Sequence, residues 1–186
     1  FFDSNGFDPK KTLVIIDEAH NLPERTADAL SIELNAYHWN RVLESDLDSS
    51  NRHCLFSIGK EILVFLQKLK SKEILSGTDT YIALDLFEDF SHELKEVHIS
   101  SIDLSPKDLN LIYQIPKAAE LLSGEGNDYL AWSPKNQSLK ISCLNPAPWI
   151  ANCLRPFASS IHMSATLGPI DHYEASIGLT KKETTF

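Results

Sequence analysis

Asp17 and Glu18 stand side by side directly after four apolar residues, Leu13, Val14, Ile15 and Ile16. Two adjacent carboxylates at the end of a strand can divide a phosphoryl-transfer task. One holds Mg²⁺ through its waters, and the other orients or deprotonates the attacking water. His20 follows in the string Asp17-Glu18-Ala19-His20. Far downstream, Ser164 and Thr166 form a hydroxyl pair ahead of Gly168-Pro169, which by itself signals only turn chemistry. A different chemistry, neutralisation of phosphates, belongs to Lys60, Lys68, Lys70 and Lys72, the basic cluster of the middle region. Its plain alternative is a solvated helix end, where cations also suit the helix dipole.

These residues need elements to aim them. The run Leu13 to Ile16 is short, continuous and rich in β-branched residues, which predicts a strand buried on both faces of a parallel sheet. In such sheets ligands sit outside the carboxyl ends of the strands, where Asp17 and Glu18 fall. Asn21, Pro23 and Glu24 read as a helix start, and Ala27, Leu30 and Leu34 continue at helical spacing. Ser160 to Met163 reads as a second short strand and Asp171 to Ile177 as a final helix. A helix is expected from about Trp149 to Phe157. If both strands serve one phosphate site, they lie parallel and adjacent.

The middle region reads as helical. Asn35 starts a helix carrying Trp39, Val42, Leu43 and Leu47, and Asp46 to Asn51 reads as a loop. Leu55, Ile58, Ile62, Leu66 and Leu69 follow the 3.6-residue period, as do Tyr81, Leu84, Phe87, Phe90, Leu94 and Val97. The second series carries an acidic side from Asp85 to Glu96. Phe65, Phe87 and Phe90 fall on or near apolar stripes, as core residues would. Ser105-Pro106-Lys107-Asp108 is a capped helix start, Pro116 should break or kink that helix, and Gly124-Glu125-Gly126 should end it. Tyr129 to Ser133 and Ser138 to Leu144 then read as two strands joined by a turn. An excursion from 35 to 126 far exceeds the dozen or so residues of a strand-to-strand crossover. It is expected to be a helical domain, free of sheet, inserted into a parallel-sheet domain.

Composition narrows the function classes. Hydrophobic residues make up 42% of the 186, which is globular, and no apolar run approaches the roughly 20 residues of a membrane span. The net charge of −9 argues against a surface that binds nucleic acid everywhere. From 35 to 126 there are 9 Lys and Arg against 15 Asp and Glu, a net −6. The cysteines Cys54, Cys143 and Cys153 are scattered, as reduced thiols of a cytosolic or nuclear protein would be. His53, His92 and His98 show no metal-ligand spacing. The chain opens Phe1-Phe2 and its single methionine is Met163, which suggests a piece of a longer protein.

The string Asp17-Glu18-Ala19-His20-Asn21-Leu22 resembles motif II of superfamily-2 helicases, above all the iron–sulfur DNA helicases of the XPD/DinG family. His162-Met163-Ser164-Ala165-Thr166-Leu167 resembles their motif III. Tyr129 to Trp132 and Leu139 to Pro146 resemble the strands before it. The resemblance implies a mostly α chain: a helical Arch-type insert at 35–126, flanked by RecA-like α/β motor segments at 1–34 and 127–186. It implies that Asp17 contacts the Mg²⁺ of bound ATP and that Glu18 is the general base. It further implies that His20 links motif II to its neighbours, and that Ser164 and Thr166 couple nucleotide state to DNA grip. ATP, Mg²⁺, single-stranded DNA and 5′-to-3′ polarity come with the family, as does a 4Fe–4S cluster, which would lie outside this chain. No G-x-x-x-x-G-K-[ST] phosphate loop occurs here, so the piece alone is expected to be inactive. Location would be cytoplasmic at the nucleoid in a bacterium, or nuclear in a eukaryote. The competing reading is a protein-interaction module, with the insert docking another protein. No membrane role is expected.

Overall fold

A computed structural model describes residues 8–44, 53–96, 105–124 and 128–180. The readings at Phe1-Phe2, Asp46 to Asn51, Leu47, Val97, His98 and Glu125-Gly126 lie outside the described residues. The chain divides into two compact units, one of Phe1–Leu30 with Cys143–Phe186 and one of Ser31–Ser142.

In the first unit, β1 (Leu13–Ile16) pairs in parallel with β6 (Ser159–His162), in the register Leu13 to Ser159 through Ile16 to His162. The expected side-by-side arrangement is therefore present. Burial on both faces is not: Leu13 is 50% exposed and Ile15 61%, while Val14 and Ile16 are half-buried. Side chains alternate across a strand, and among the described residues the Val14–Ile16 face is the better covered, with Ile16 packed on the cluster of Ala19, Ile150, Tyr173 and Ile177. A short 3₁₀ turn, Ala19–Asn21, leads into α1 (Leu22–Leu30). Asn21 is the last residue of that turn and directly precedes α1, and its N–H bonds to the Glu18 carbonyl at 3.0 Å. Farther on come α6 (Ala147–Leu154) and α7 (Ile170–Ile177). Gly178 ends α7 at φ 70, where a Cβ would sit 2.5 Å from the Ala147 carbonyl oxygen. Only glycine suits both the left-handed backbone and that approach.

The second unit packs α2 (Ala36–Glu44), α3 (His53–Lys68), α4 (Gly77–Glu96) and α5 (Pro106–Ser123) with a four-stranded sheet of order β2-β5-β4-β3. The strands are β2 (Ile32–Asn35), β3 (Glu73–Ile74), β4 (Tyr129–Ser133) and β5 (Ser138–Cys143). Three expectations change here. Leu34 continues no helix: β2 pairs antiparallel with β5, and Ile32, Leu34, Leu139 and Ile141 turn one face into the core. The 35–126 interval is not free of sheet, because the chain leaves α3, turns at Lys72 (φ 66) and lays Glu73 and Ile74 along Ser133 and Trp132. The compact unit accordingly runs from Ser31 to Ser142, not from 35 to 126, since β2, β4 and β5 join the insert's own sheet.

Pro116 neither ends nor divides α5, which runs through it. A proline there forfeits one backbone bond, and the buried face of Ile112, Ile115, Ala118 and Ala119 holds both halves on one core. Ser105 caps the helix as expected, its Oγ accepting from the Asp108 N–H at 3.2 Å. The core centres on Trp39, Phe87 and Phe90, with Phe65 also buried. Trp39 stacks edge-on against Phe90 at 5.3 Å and donates its indole N–H to the Gly59 carbonyl at 2.8 Å. Gly59 allows this approach, since a Cβ there would meet Leu43 Cδ2 at 2.7 Å.

Candidate active site

β1 delivers Asp17 and Glu18 to its C-terminal end, both exposed. Glu18 adopts a left-handed conformation, φ 50 and ψ 44. That conformation is uncommon outside glycine and concentrates at functional sites. Asp17 Oδ1 accepts the Glu18 N–H at 2.9 Å, which ties the Asp17 carboxylate to the backbone of the turn. The ladder to β6 continues past both strands: Met163 N–H donates to the Ile16 carbonyl at 2.9 Å, and Ala19 N–H donates to the Met163 carbonyl at 3.0 Å. These bonds carry the chain after β6 alongside the turn after β1.

The result is a contact across the two segments. His20 Nδ1 lies 2.7 Å from Ser164 Oγ and 3.3 Å from Glu18 Oε2. Thr166 joins through its backbone, its N–H donating to Ser164 Oγ at 3.3 Å. Of the five residues singled out, Glu18, His20 and Ser164 meet by side chain, and Asp17 and Thr166 are tied in by the local backbone.

Beneath them lies a set not foreseen from the sequence. His162 Nδ1 is 2.5 Å from the Tyr173 hydroxyl, and its Nε2 is 2.9 Å from Ser160 Oγ. Burial holds His162 below its ordinary pKa and pushes Tyr173 up to about 12. A neutral imidazole satisfies both neighbours, one nitrogen accepting and the other donating. The two-residue spacing of Ser160 and His162 on β6 was a legible signal, but their partner on α7 was not.

Asp17 fits a Mg²⁺ role: one exposed carboxylate beside a second, at a strand end, with the remaining ligands left to phosphate and water. No group of three or more His, Cys, Asp or Glu side chains that could hold a metal gathers among the described residues. The cysteines, on α3, β5 and α6, accordingly do not fit an iron–sulfur cluster.

The basic cluster is partly regrouped. Lys60 lies over the Phe56 ring at 4.3 Å, about 12 Å up the helix from Lys68, so it stands apart from the others. Lys68, Lys70 and Lys72 are exposed at the end of α3. The segment that carries them is stitched to the β4–β5 turn, Gln137 N–H to the Leu69 carbonyl at 2.9 Å and Lys72 N–H to the Ser133 carbonyl at 2.7 Å. That turn brings a further lysine, Lys135, which is paired with Glu33 at 2.9 Å.

No protein-family model matches the chain. A curated relative, the ATP-dependent DNA helicase CHL1 of Candida albicans, is 30% identical over 105 residues, covering 50% of this chain and 12% of that protein. Three solved structures share the fold. An XPD helicase matches 97% of this chain at TM-score 0.55 and 18% identity. An apo XPD matches 96% at 0.54 and 21%. A truncated XPD matches 96% at 0.53 and 18%. The chain spans 33%, 36% and 52% of those structures, so it corresponds to a part of each. The fold, mostly helical with small sheets, is thus that of a segment of XPD helicase structures. Among the described residues no helix is long and apolar enough to cross a membrane.

Proposed function

We propose that the chain is part of an ATP-dependent DNA helicase of the XPD/DinG kind, acting 5′ to 3′ on single-stranded DNA at the nucleoid or in the nucleus. The observation that carries this reading is the parallel pairing of β1 and β6, which brings His20 onto Ser164 and sets Asp17 and Glu18 at one strand end. In the whole protein Asp17 would hold Mg²⁺ and Glu18 would take a proton from the attacking water. Bound ATP would supply phosphate oxygens there, and the metal would offset their negative charge. His20 and Ser164 relay the nucleotide state toward the DNA-gripping parts, with Thr166 beside them. The Ser31–Ser142 unit guides the strand, and its best contacts are Lys68, Lys70 and Lys72. The similarity to a protein named as an ATP-dependent DNA helicase supports the same class.

The test uses the longer protein from which this segment comes. Glu18→Gln keeps the shape and removes the base, so ATP should bind normally while turnover falls by about 10² to 10⁴. Substantial DNA unwinding by that variant would mean that Glu18 is not the base. The 186-residue piece alone, without a phosphate loop, should show no DNA-stimulated hydrolysis.

A further inference from the structure

The Ser31–Ser142 unit carries a groove that shares only Lys68 with the proposed strand contacts. It has a volume of about 460 Å³ and lies among α3, α4 and β3. Its apolar lining includes Val64, Ile82 and Leu86, and its acids are Glu61, Glu73 and Asp79, against the single lysine Lys68. Val64 is 49% exposed and Ile82 45%, so branched aliphatic side chains stand open to water on two adjacent helices. A second depression, of about 350 Å³, shares Ile82 and continues along α4 past Tyr81, Asp85 and Glu88. Two depressions joined at one residue, running along α4, suit an elongated element such as a helix better than a compact small molecule.

Charge decides what kind of segment. Across both depressions five acids face one lysine. Among the described residues Lys11 pairs with Asp8, His20 with Glu18 and Lys135 with Glu33, and none of these neutralises Glu61, Glu73, Asp85 or Glu88. Asp79 Oδ2 accepts from the Ser76 hydroxyl at 2.6 Å, a neutral partner. An apolar floor with an unneutralised acidic rim repels a phosphate backbone and complements cationic side chains. Lys and Arg also lay apolar stems along such a floor while their heads reach the rim.

We propose that this groove docks a short amphipathic segment of a partner protein, apolar on one face and rich in Lys or Arg on its flanks. The mode is a helix laid into a groove, with anchors at i, i+3 or i+4, and i+7. The proposal does not depend on the helicase reading, because it uses none of the Asp17–His20 or Ser164–Thr166 residues.

The test pans a phage-displayed library of random peptides, about 16 residues or four helical turns long, on the full 186-residue chain. Phage that bind the Val64→Glu, Ile82→Glu double variant are removed. Both sites are exposed, so the variant should melt like wild type. A second variant, Glu61→Lys with Glu73→Lys, leaves the apolar floor untouched and guards against misfolding of the first. Enriched peptides should carry helical-spaced apolar anchors and net positive charge. A synthetic representative should bind both variants at least about tenfold more weakly. Enrichment of neutral or acidic peptides, no enrichment, or equal binding to wild type and the charge variant would overturn the proposal. So would displacement of the peptide by a single-stranded oligonucleotide, which would assign the groove to nucleic acid. Concentration-dependent self-association abolished in the double variant would assign it to a second copy. ATP turnover is not read in any arm, so failure here leaves the helicase reading where it stood.

Discussion

His20 and Ser164 lie 144 positions apart in the chain and 2.7 Å apart between Nδ1 and Oγ. The contact exists because β1 and β6 run parallel and end level, Ile16 opposite His162. It joins the carboxylate-bearing turn to the hydroxyl-bearing one without passing through a buried core. In the longer protein, Ser164→Ala should leave ATP binding within about twofold and lower DNA-stimulated turnover roughly five- to tenfold, the size of one hydrogen bond. Steady-state hydrolysis with and without DNA measures it. An unchanged DNA stimulation would remove Ser164 from the coupling role.

Gly59 sets how closely α2 and α3 approach. Gly59→Val places a branched side chain where Leu43 Cδ2 already lies 2.7 Å from the Cβ position. It should destabilise the chain by about 1–3 kcal/mol through overpacking, more than the few tenths that valine gains over glycine in a helix. Urea titration of the purified chain gives the answer, and a variant as stable as wild type would show that the Trp39–Phe90 core is slack.

His162 predicts a pH dependence. Its folded pKa lies below the ordinary 6.5, because burial disfavours the charged ring. The unfolded chain therefore takes up the proton first. Stability is full above about 6.5 and falls as pH drops from there through the folded pKa. Thermal melts between about pH 7.5 and 5 should lose midpoint faster in wild type than in His162→Gln, which cannot titrate. Parallel curves for the two would place the acid sensitivity elsewhere.

Lys68, Lys70 and Lys72 predict a salt effect. If they contact a strand, single-stranded DNA should bind the chain weakly, and changing all three to Ala should flatten the salt slope by up to about 0.7 for each phosphate no longer neutralised. Helicity should hold, since all three are exposed at or beyond the end of α3. Fluorescence anisotropy across a salt series separates this from the docking reading, in which Glu88, Asp89 and Glu93 matter for a basic partner. An identical slope in the triple variant would favour docking.

What the sequence determined by itself was local. The 3.6-residue rows of α3 and α4 announced their buried faces, since Leu55, Ile62, Leu66, Phe87 and Phe90 must all reach one core whatever lies across from them. Ser105 and Asp108 announced a helix start because a cap is made within four residues. Asp17 and Glu18 stood out as paired carboxylates at a strand end, Ser164 drew weight only from the family resemblance, and parallel strands were expected because both would serve one phosphate site. Tertiary structure decided the rest. β2 has four residues and β3 two, too few to establish a period, and they are strands only because β5 and β4 supply the missing hydrogen bonds. Leu34 also fits the helical count that precedes it, from Ala27 through Leu30, and only the partner strand breaks that tie. The close approach at Gly59, the Ser160–His162–Tyr173 set and the acid-rimmed groove likewise join residues distant in sequence. No local interaction encodes such meetings; they exist once the chain has closed its core, because only then do distant side chains share one volume.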